Sequence, residues 1–357
     1  MHISHAIDQK AWNDFLESEP WNPFLQSWTM GDVYADIGQK PIRLVAELDG
    51  VLQGICFAHL VPARRGKHLS VPYGPVISET MNEHDASLAT QGFINVLKKE
   101  AKKLDCSFIR MSPFWVHGRH HAAEEAVGSV ESPLHLLAEH VWYLPLKNSD
   151  GKMRDEKEIL MAMRSTTRNL IRRAERDGVT VRASKNPNEE LKHFLGLHEE
   201  TRKRHGFVAY SDAFFRSQVK RFAERKECTL YLAEYQGNVI SSSIHIHAFG
   251  ETSYHHGASD SAHSKIPASY LLQWTAIKDA MKRGDRIYNF WGIAPTSEEQ
   301  KNNHTTQSSH PFAGVTLFKT GFGGKVLNLM HCKDTPVTKT YWFTYAFERF
   351  RKWRRGF

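Results

Sequence analysis

Two stretches of the chain carry the same alternation of apolar and polar positions. Ala46-Glu47-Leu48-Asp49-Gly50 lies between the strand-like runs Ile42–Leu48 and Val51–Val61. Ala233-Glu234-Tyr235-Gln236-Gly237 lies in the same way between Leu230–Tyr235 and Val239–Ala248. A β-favouring run, a glycine-containing turn and a second run predict a hairpin at each place. Downstream of both hairpins the apolar spacing lengthens to that of a helix. Ala86-Ser87-Leu88 opens a helical pattern that reaches Leu104 and is followed by the strand-like Cys106–Met111. Ala268-Ser269-Tyr270 opens another that reaches Arg283, with Gly284 to end it and Arg286–Phe290 as the strand beyond. Within it Leu271, Trp274, Ile277 and Met281 share a face and predict a core contact. The displacement is 187 residues between the hairpins (Ala46 to Ala233) and 182 between the helices (Ala86 to Ala268). Equal order at nearly equal offset predicts two copies of one α/β unit: hairpin, third strand, helix, fourth strand.

The remaining segments fit around that repeat. Lys147-Asn148-Ser149-Asp150-Gly151 has turn chemistry and predicts a linker between the copies. A helix is expected from about Glu156 to Arg176, stopping at Gly178, and another from Asn188 to Lys203. Ala294–His310 is polar and aperiodic, which predicts a loop. Val315–Lys319 reads as a strand that runs into the turn Thr320–Gly324.

Composition narrows the setting. A chain of 357 residues suits two domains. No apolar run has the length of a membrane span, and Met1–Phe15 has no apolar signal core. Cys56, Cys106, Cys228 and Cys332 stand apart and form no CxxC pair, which suits a reducing compartment. The expected location is therefore the cytoplasm. The formal net charge of +8 favours polyanionic partners. Arg164, Arg168, Arg172 and Arg176 are spaced by four and predict a basic helix side. The segment Arg349–Arg355 is dense in basic residues, and Trp342, Phe343, Phe347, Phe350 and Trp353 lie in and beside it. Such a helix can rest on the inner face of a membrane as a peripheral contact. Packing of its aromatics onto the first domain is the plainer expectation.

Several chemistries have no signature here. The Arg/Gln-x-x-Gly-x-Gly/Ala turn that binds the pyrophosphate of acyl-CoA is absent, as are GxSxG, HExxH and P-loop patterns. His245 and His247 alternate on one strand, with His255 and His256 on the next, but nothing completes a ligand set, so no metal is expected. Attack by an amine on an activated ester needs no enzyme nucleophile. It needs positioning and a positive group near the developing oxyanion. Lys319, at the close of an apolar run, is the candidate for that group.

The order of motifs resembles a known family. Tyr254-His255-His256-Gly257-Ala258-Ser259 leads into Pro267–Trp274, Gly284, Tyr288-Asn289-Phe290-Trp291-Gly292-Ile293 and then Gly314–Gly324. Phe24-Leu25-Gln26-Ser27-Trp28 and Arg172–Val179 match the openings of the two domains. Over nearly the whole chain this is similar to the FemABX peptidyltransferases, which use aminoacyl-tRNA to build peptidoglycan cross-bridges. The resemblance implies an α/β (α+β) fold of tandem acetyltransferase-like, GNAT-type domains, with mixed sheets flanked by helices. It places the first domain at 1–149 plus 331–357 and the second, with a precursor-binding cleft, at 150–330. It also implies a return of the final segment to the first domain. No long heptad run is present, so the coiled-coil arm of some members is not expected.

Carried over position by position, the resemblance makes Lys319 the catalytic residue. Phe318, Tyr254, His256, Arg204, Tyr210 and Tyr34 become substrate-site residues. Arg204 would grip the substrate diphosphate with Tyr210 beside it. His256 replaces a family tyrosine and could change charge near neutral pH, Tyr34 stands where a basic residue is common, and Asn289 stands where many members have Asp. The expected reaction is transfer of an amino acid from aminoacyl-tRNA to the side-chain amine of a lipid-linked or UDP-linked peptidoglycan precursor, with no cofactor. The alternatives are an acyl-CoA-dependent N-acyltransferase, a tRNA-dependent enzyme of secondary metabolism, or a non-catalytic tRNA- or precursor-binding module.

Overall fold

A computed structural model describes residues 1–63, 66–118, 121–205, 210–295 and 311–355. It divides into two compact units, one formed by Met1–Glu139 with Asn328–Phe357 and the other by His140–Leu327. The break falls ten residues before the linker expected at 149/150. The reason is pairing: the strand His140–Pro145 forms an antiparallel ladder with Ile287–Gly292 and so belongs to the second sheet. Lys147–Gly151 is a turn inside that unit, closed by a bridge between Lys147 and Met153.

The first unit contains β1 (His2–His5), α1 (Gln9–Ser18), α2 (Trp28–Asp36), β2 (Pro41–Leu48), β3 (Val51–Val61), β4 (His68–Tyr73), β5 (Val76–Ile77), α3 (Glu83–Lys103), β6 (Phe108–Pro113), α4 (His121–Ala126) and β7 (Val130–Glu131). The second contains β8 (His140–Pro145), α5 (Glu156–Ala162), α6 (Ser165–Arg176), β9 (Thr180–Ala183), α7 (Pro187–His205), α8 (Asp212–Glu224), β10 (Cys228–Tyr235), β11 (Asn238–Ala248), β12 (Glu251–Ser259), α9 (Ala268–Arg283), β13 (Ile287–Gly292), α10 (Ala313–Thr320) and β14 (Lys325–Asn328). The chain then adds β15 (Lys333–Pro336) and α11 (Tyr341–Arg355) to the first unit.

The repeat is explicit in the sheets. The first runs β1-β2-β3-β4-β6-β15-β7, and the second runs β14-β8-β13-β12-β11-β10-β9. In each, three antiparallel strands lead through one helix to a fourth strand parallel to the third: β2-β3-β4-α3-β6 and β10-β11-β12-α9-β13. Both hairpins turn through two consecutive residues of positive φ, Asp49-Gly50 and Gln236-Gly237. That is the turn geometry whose twist suits adjacent antiparallel strands. α9 buries Leu271, Trp274, Ile277 and Met281 as their spacing requires, and Gly284 closes it at φ 84°. One difference separates the copies. The parallel ladder of β4 and β6 runs through six partners, His68–Tyr73 against Phe108–Pro113, whereas that of β12 and β13 stops after three, at Ser253 and Asn289.

Three other local expectations are corrected. Val315–Lys319 is helical, not extended. Its β-branched composition favours a strand, but Thr316, Lys319 and Thr320 are the buried positions, and burial at helical spacing overrides that preference. The helix expected from Glu156 to Arg176 breaks at Met163 and Arg164, both extended. Arg164 therefore leaves the basic stripe, and its guanidinium donates to Leu317 O and Thr320 Oγ1 at 2.5 and 2.6 Å. Arg168 donates to Met163 O, while Arg172 and Arg176 remain exposed. Of the five α11 aromatics expected to pack inward, Trp342, Phe343, Phe350 and Trp353 are exposed and Phe347 is half-buried. From residue 296 onward, the loop expected at Ala294–His310 lies outside the described residues.

Candidate functional site

The early end of the β12–β13 ladder makes the site. Beyond Ser253 and Asn289 the two strands are no longer paired. A cavity of about 930 Å³ lies there, lined among others by Tyr254, Tyr270, Trp291, Phe318 and Lys319. A sheet that opens between parallel neighbours leaves backbone groups and side chains facing a common space, the usual position of ligands in α/β folds.

Lys319 sits in the last turn of α10 and is 8% exposed. Its Nζ donates to the carbonyl of Gly292 at 2.6 Å and lies 5.9 Å from the centre of the Tyr254 ring. Among the described residues no carboxylate forms an ion pair with it. Burial pushes its pKa down to about 7. An ammonium has three donors. With one on Gly292, Lys319 has further donors for a ligand.

Two features of β12 aim Tyr254. His245 faces Tyr254 across the β11–β12 pair, and Ile244 faces His256, so His255 is an extra residue in the ladder. Gly257 then lies so close to the Tyr254 hydroxyl that an added Cβ would stand 1.8 Å from it. Only glycine leaves room for the phenol there. The ring stacks on His245 at 5.4 Å. His245 in turn bonds Tyr288 Oη at 2.7 Å, and Tyr288 donates to Gln273 Oε1 at 2.6 Å. Burial pushes the Tyr254 phenol up to about 12, so it stays a protonated donor at neutral pH.

The same bulge sends His256 elsewhere. Its ring packs against Phe215 (4.8 Å), Tyr210 (5.8 Å) and Phe194 (6.4 Å), toward α7 and α8, and it does not line the cavity. Burial, with His255 and His198 nearby, holds its pKa well below the usual imidazole range. The expected change of charge near neutral pH is therefore corrected: His256 is neutral there. Tyr210 stacks on Phe214 at 4.2 Å in that aromatic group. Tyr34 is buried in the first unit, stacked on His59 at 3.7 Å, and is a packing residue there. The side chain of Arg204 lies outside the described residues. Of the expected set, then, Lys319, Phe318 and Tyr254 share the cavity, and His256, Tyr210 and Tyr34 do not.

Sequence reading missed several residues of the site. Trp291 lines the cavity at φ 66°, a left-handed conformation unusual for a bulky residue, and its N–H is held by Asn289 Oδ1 at 2.7 Å. Asn289 is fixed by Glu251, which also accepts from Ser253. Tyr270 meets Phe318 edge to face at 4.9 Å. Arg173 and Lys265 add positive charge to the lining. The Asn-x-Trp-Gly run was visible as a motif, but the backbone reversal that turns Trp291 inward was not. Of the histidines considered for a metal, His245 bonds Tyr288, His247 bonds Thr229, and the rings of His255 and His256 lie 3.9 Å apart. Elsewhere, in the first unit, His135, Glu139 and His331 converge as a hydrogen-bonded group.

Comparison with known proteins adds the following. The family described as acetyltransferase (GNAT) domain matches residues 161–300. Aminoacyltransferase FemA of Staphylococcus aureus (strain MRSA252) is 20% identical over 431 aligned positions, covering 95% of this chain and 96% of FemA. The crystal structure of FemX superposes with a TM-score of 0.75 at 17% identity, covering 94% of this chain and 97% of FemX. A tandem GNAT protein from the clavulanic acid biosynthesis pathway superposes with a TM-score of 0.54 at 12% identity over 92% of this chain and 94% of its own.

Proposed function

The chain belongs to the FemABX family of tandem GNAT-type transferases, and on that premise we propose that it moves an amino acid from aminoacyl-tRNA to the side-chain amine of a peptidoglycan precursor. The observation that carries the reading is Lys319, a buried lysine without a carboxylate partner among the described residues, at the open end of the β12–β13 pair.

In this reading the acceptor amine enters the cavity and its nitrogen bonds to the ester carbonyl carbon of the aminoacyl group. The C–O bond to the terminal ribose of the tRNA then breaks. The proton lost by the amine ends on the departing ribose oxygen. Negative charge develops on the carbonyl oxygen in between, and the Lys319 ammonium stabilises it from a site where water does not screen it. Gly292 holds the ammonium in place, so little reorganisation accompanies the reaction. Phe318 and Tyr270 offer an aromatic wall for the ribose or adenine of the tRNA terminus. Tyr254 supplies a neutral hydrogen-bond donor. Arg173 and Lys265 offer positive charge for phosphates, alongside the Arg204 expected from the family pattern.

The test is reconstitution with a mixed charged-tRNA pool and UDP-linked or lipid-linked precursor, read by mass spectrometry, with acetyl-CoA in a parallel arm. Transfer from tRNA is expected, and Lys319→Met should lower kcat by about 10²–10³-fold. Turnover from acetyl-CoA alone, or full activity in Lys319→Met, would refute the reading.

A further inference from the structure

The helix α11 has two faces of opposite character. Tyr341 and Thr344 are buried in the first unit, and Glu348 pairs with Arg110 at 2.7 Å. Arg110 itself is clamped by both oxygens of buried Asp334 at 2.8 Å, and Tyr341 donates to Asp334 as well. These three positions fall within roughly 60° of the helix circumference at 3.6 residues per turn. The opposite face holds Trp342, Phe343, Phe350 and Trp353, confined to an arc of roughly 100° by the same geometry. Those residues are 52%, 81%, 54% and 77% exposed. Between them lies only the small Ala346, and exposed Arg349 and Arg354 stand at the two edges of the arc. The helix carries five basic residues against the single Glu348, which is turned inward to pair with Arg110.

A soluble surface does not normally display two tryptophans and two phenylalanines as one contiguous stripe. Tyr341, Thr344 and Glu348 fasten the opposite face of the helix to the first unit, so the stripe is turned outward. From its chemistry we propose that α11 docks the protein on an anionic phospholipid bilayer, lying in the headgroup plane with the aromatics at the acyl boundary. Tryptophan and phenylalanine suit that boundary, and flanking arginines pair with lipid phosphates. The charge argues for a bilayer over a second copy of the chain: two α11 helices face to face would bring Arg349 and Arg354, at the edges of the stripe, against their own counterparts. The inference is independent of the reading of Lys319.

The experiment is sedimentation of the full chain with vesicles of phosphatidylglycerol and phosphatidylcholine in equal parts, against phosphatidylcholine alone. Binding to the anionic vesicles is expected, weakened by salt. Phe343→Ser with Trp353→Ser should reduce the partition coefficient about tenfold or more while leaving the thermal midpoint near wild type. Arg349→Glu with Arg354→Glu should abolish the preference for anionic vesicles. Failure of the wild type to sediment with either vesicle would overturn the proposal, as would equal binding by the aromatic variant. A dimer in buffer that the aromatic variant dissociates, with no vesicle binding, would assign the face to a second copy instead.

Discussion

The ammonium of Lys319 donates to the carbonyl of Gly292 at 2.6 Å, from helix α10 to the end of strand β13. This contact joins the two segments that border the cavity, and it holds a buried cation on a neutral group. Among the described residues no carboxylate compensates the charge, which has a measurable consequence.

Lys319 has a pKa near 7 in the folded protein against 10.5 as its ordinary value. Below pH 7 the side chain is charged in both folded and unfolded chains, and the folded state bears the cost of burying it. Between about pH 7 and pH 10.5 the unfolded chain binds more protons, so this group's contribution favours folding increasingly as pH rises. Lys319→Met should therefore raise the unfolding free energy from denaturant titration more at pH 6 than at pH 10, by on the order of a few kcal/mol, at about 1.4 kcal/mol per tenfold change in proton affinity. Equal gains at both pH values would contradict an uncompensated buried lysine.

Gly257→Ala would place a methyl group 1.8 Å from the Tyr254 hydroxyl. The phenol must turn away, so transfer should fall steeply, with a stability loss of about 1–3 kcal/mol from overpacking. Urea unfolding and steady-state rates together measure this. A variant with wild-type kcat would show that the Tyr254 position does not matter.

His256→Phe should keep the pH profile of the reaction unchanged, because the imidazole is neutral and packed against Phe215 and Tyr210. Tyr254→Phe, which removes a donor from the cavity, should slow the reaction. If His256→Phe instead moved an acidic limb of the profile, the face assigned to His256 would be wrong.

Arg110→Met should be among the most damaging substitutions in the first unit. It leaves Asp334 and Glu348 without their cation, and removal of one partner from a buried charged network costs about 3–5 kcal/mol. The urea midpoint reads the loss.

The pair of Glu139 and His331 predicts a stability plateau. Hydrogen bonds from His135 and His331, working against burial, hold Glu139 down to about 2, while its bond to Glu139 raises His331 above 6.5. The carboxylate contribution is present above pH 4.5 and is lost as pH falls toward 2. The histidine contribution is complete below pH 6.5 and is lost as pH rises through its raised value. His331→Gln should flatten the alkaline side of the thermal-midpoint curve, and an unaltered curve would exclude the linkage.

Much of the architecture could be read from local pattern. The paired hairpins, helix α9 and its closing Gly284 follow from spacing and from residues that tolerate positive φ. The grouping of Phe318, Tyr254 and Lys319 rested on family resemblance, since no local signal links positions so far apart. What stayed hidden depends on partners distant in sequence. The extra residue at His255 exists only relative to β11, so the parting of Tyr254 and His256, both expected in the substrate site, shows only in the register. β8 belongs to the second unit because β13 pairs with it. Val315–Lys319 looked extended because β-branched residues count toward strands, while burial of Thr316, Lys319 and Thr320 decided otherwise. Tyr34, expected in the site from the family pattern, is stacked on His59.

The unequal ladders also say something about how one duplicated plan supports two roles. β4 and β6 stay zipped through six partners, and β12 and β13 part after three. The first copy keeps this seam closed, and the cavity lined by Tyr254, Trp291 and Lys319 lies where the second copy opens it. A segment that restored hydrogen bonding past Asn289 would carry the sheet across the space that Tyr254 and Lys319 now share.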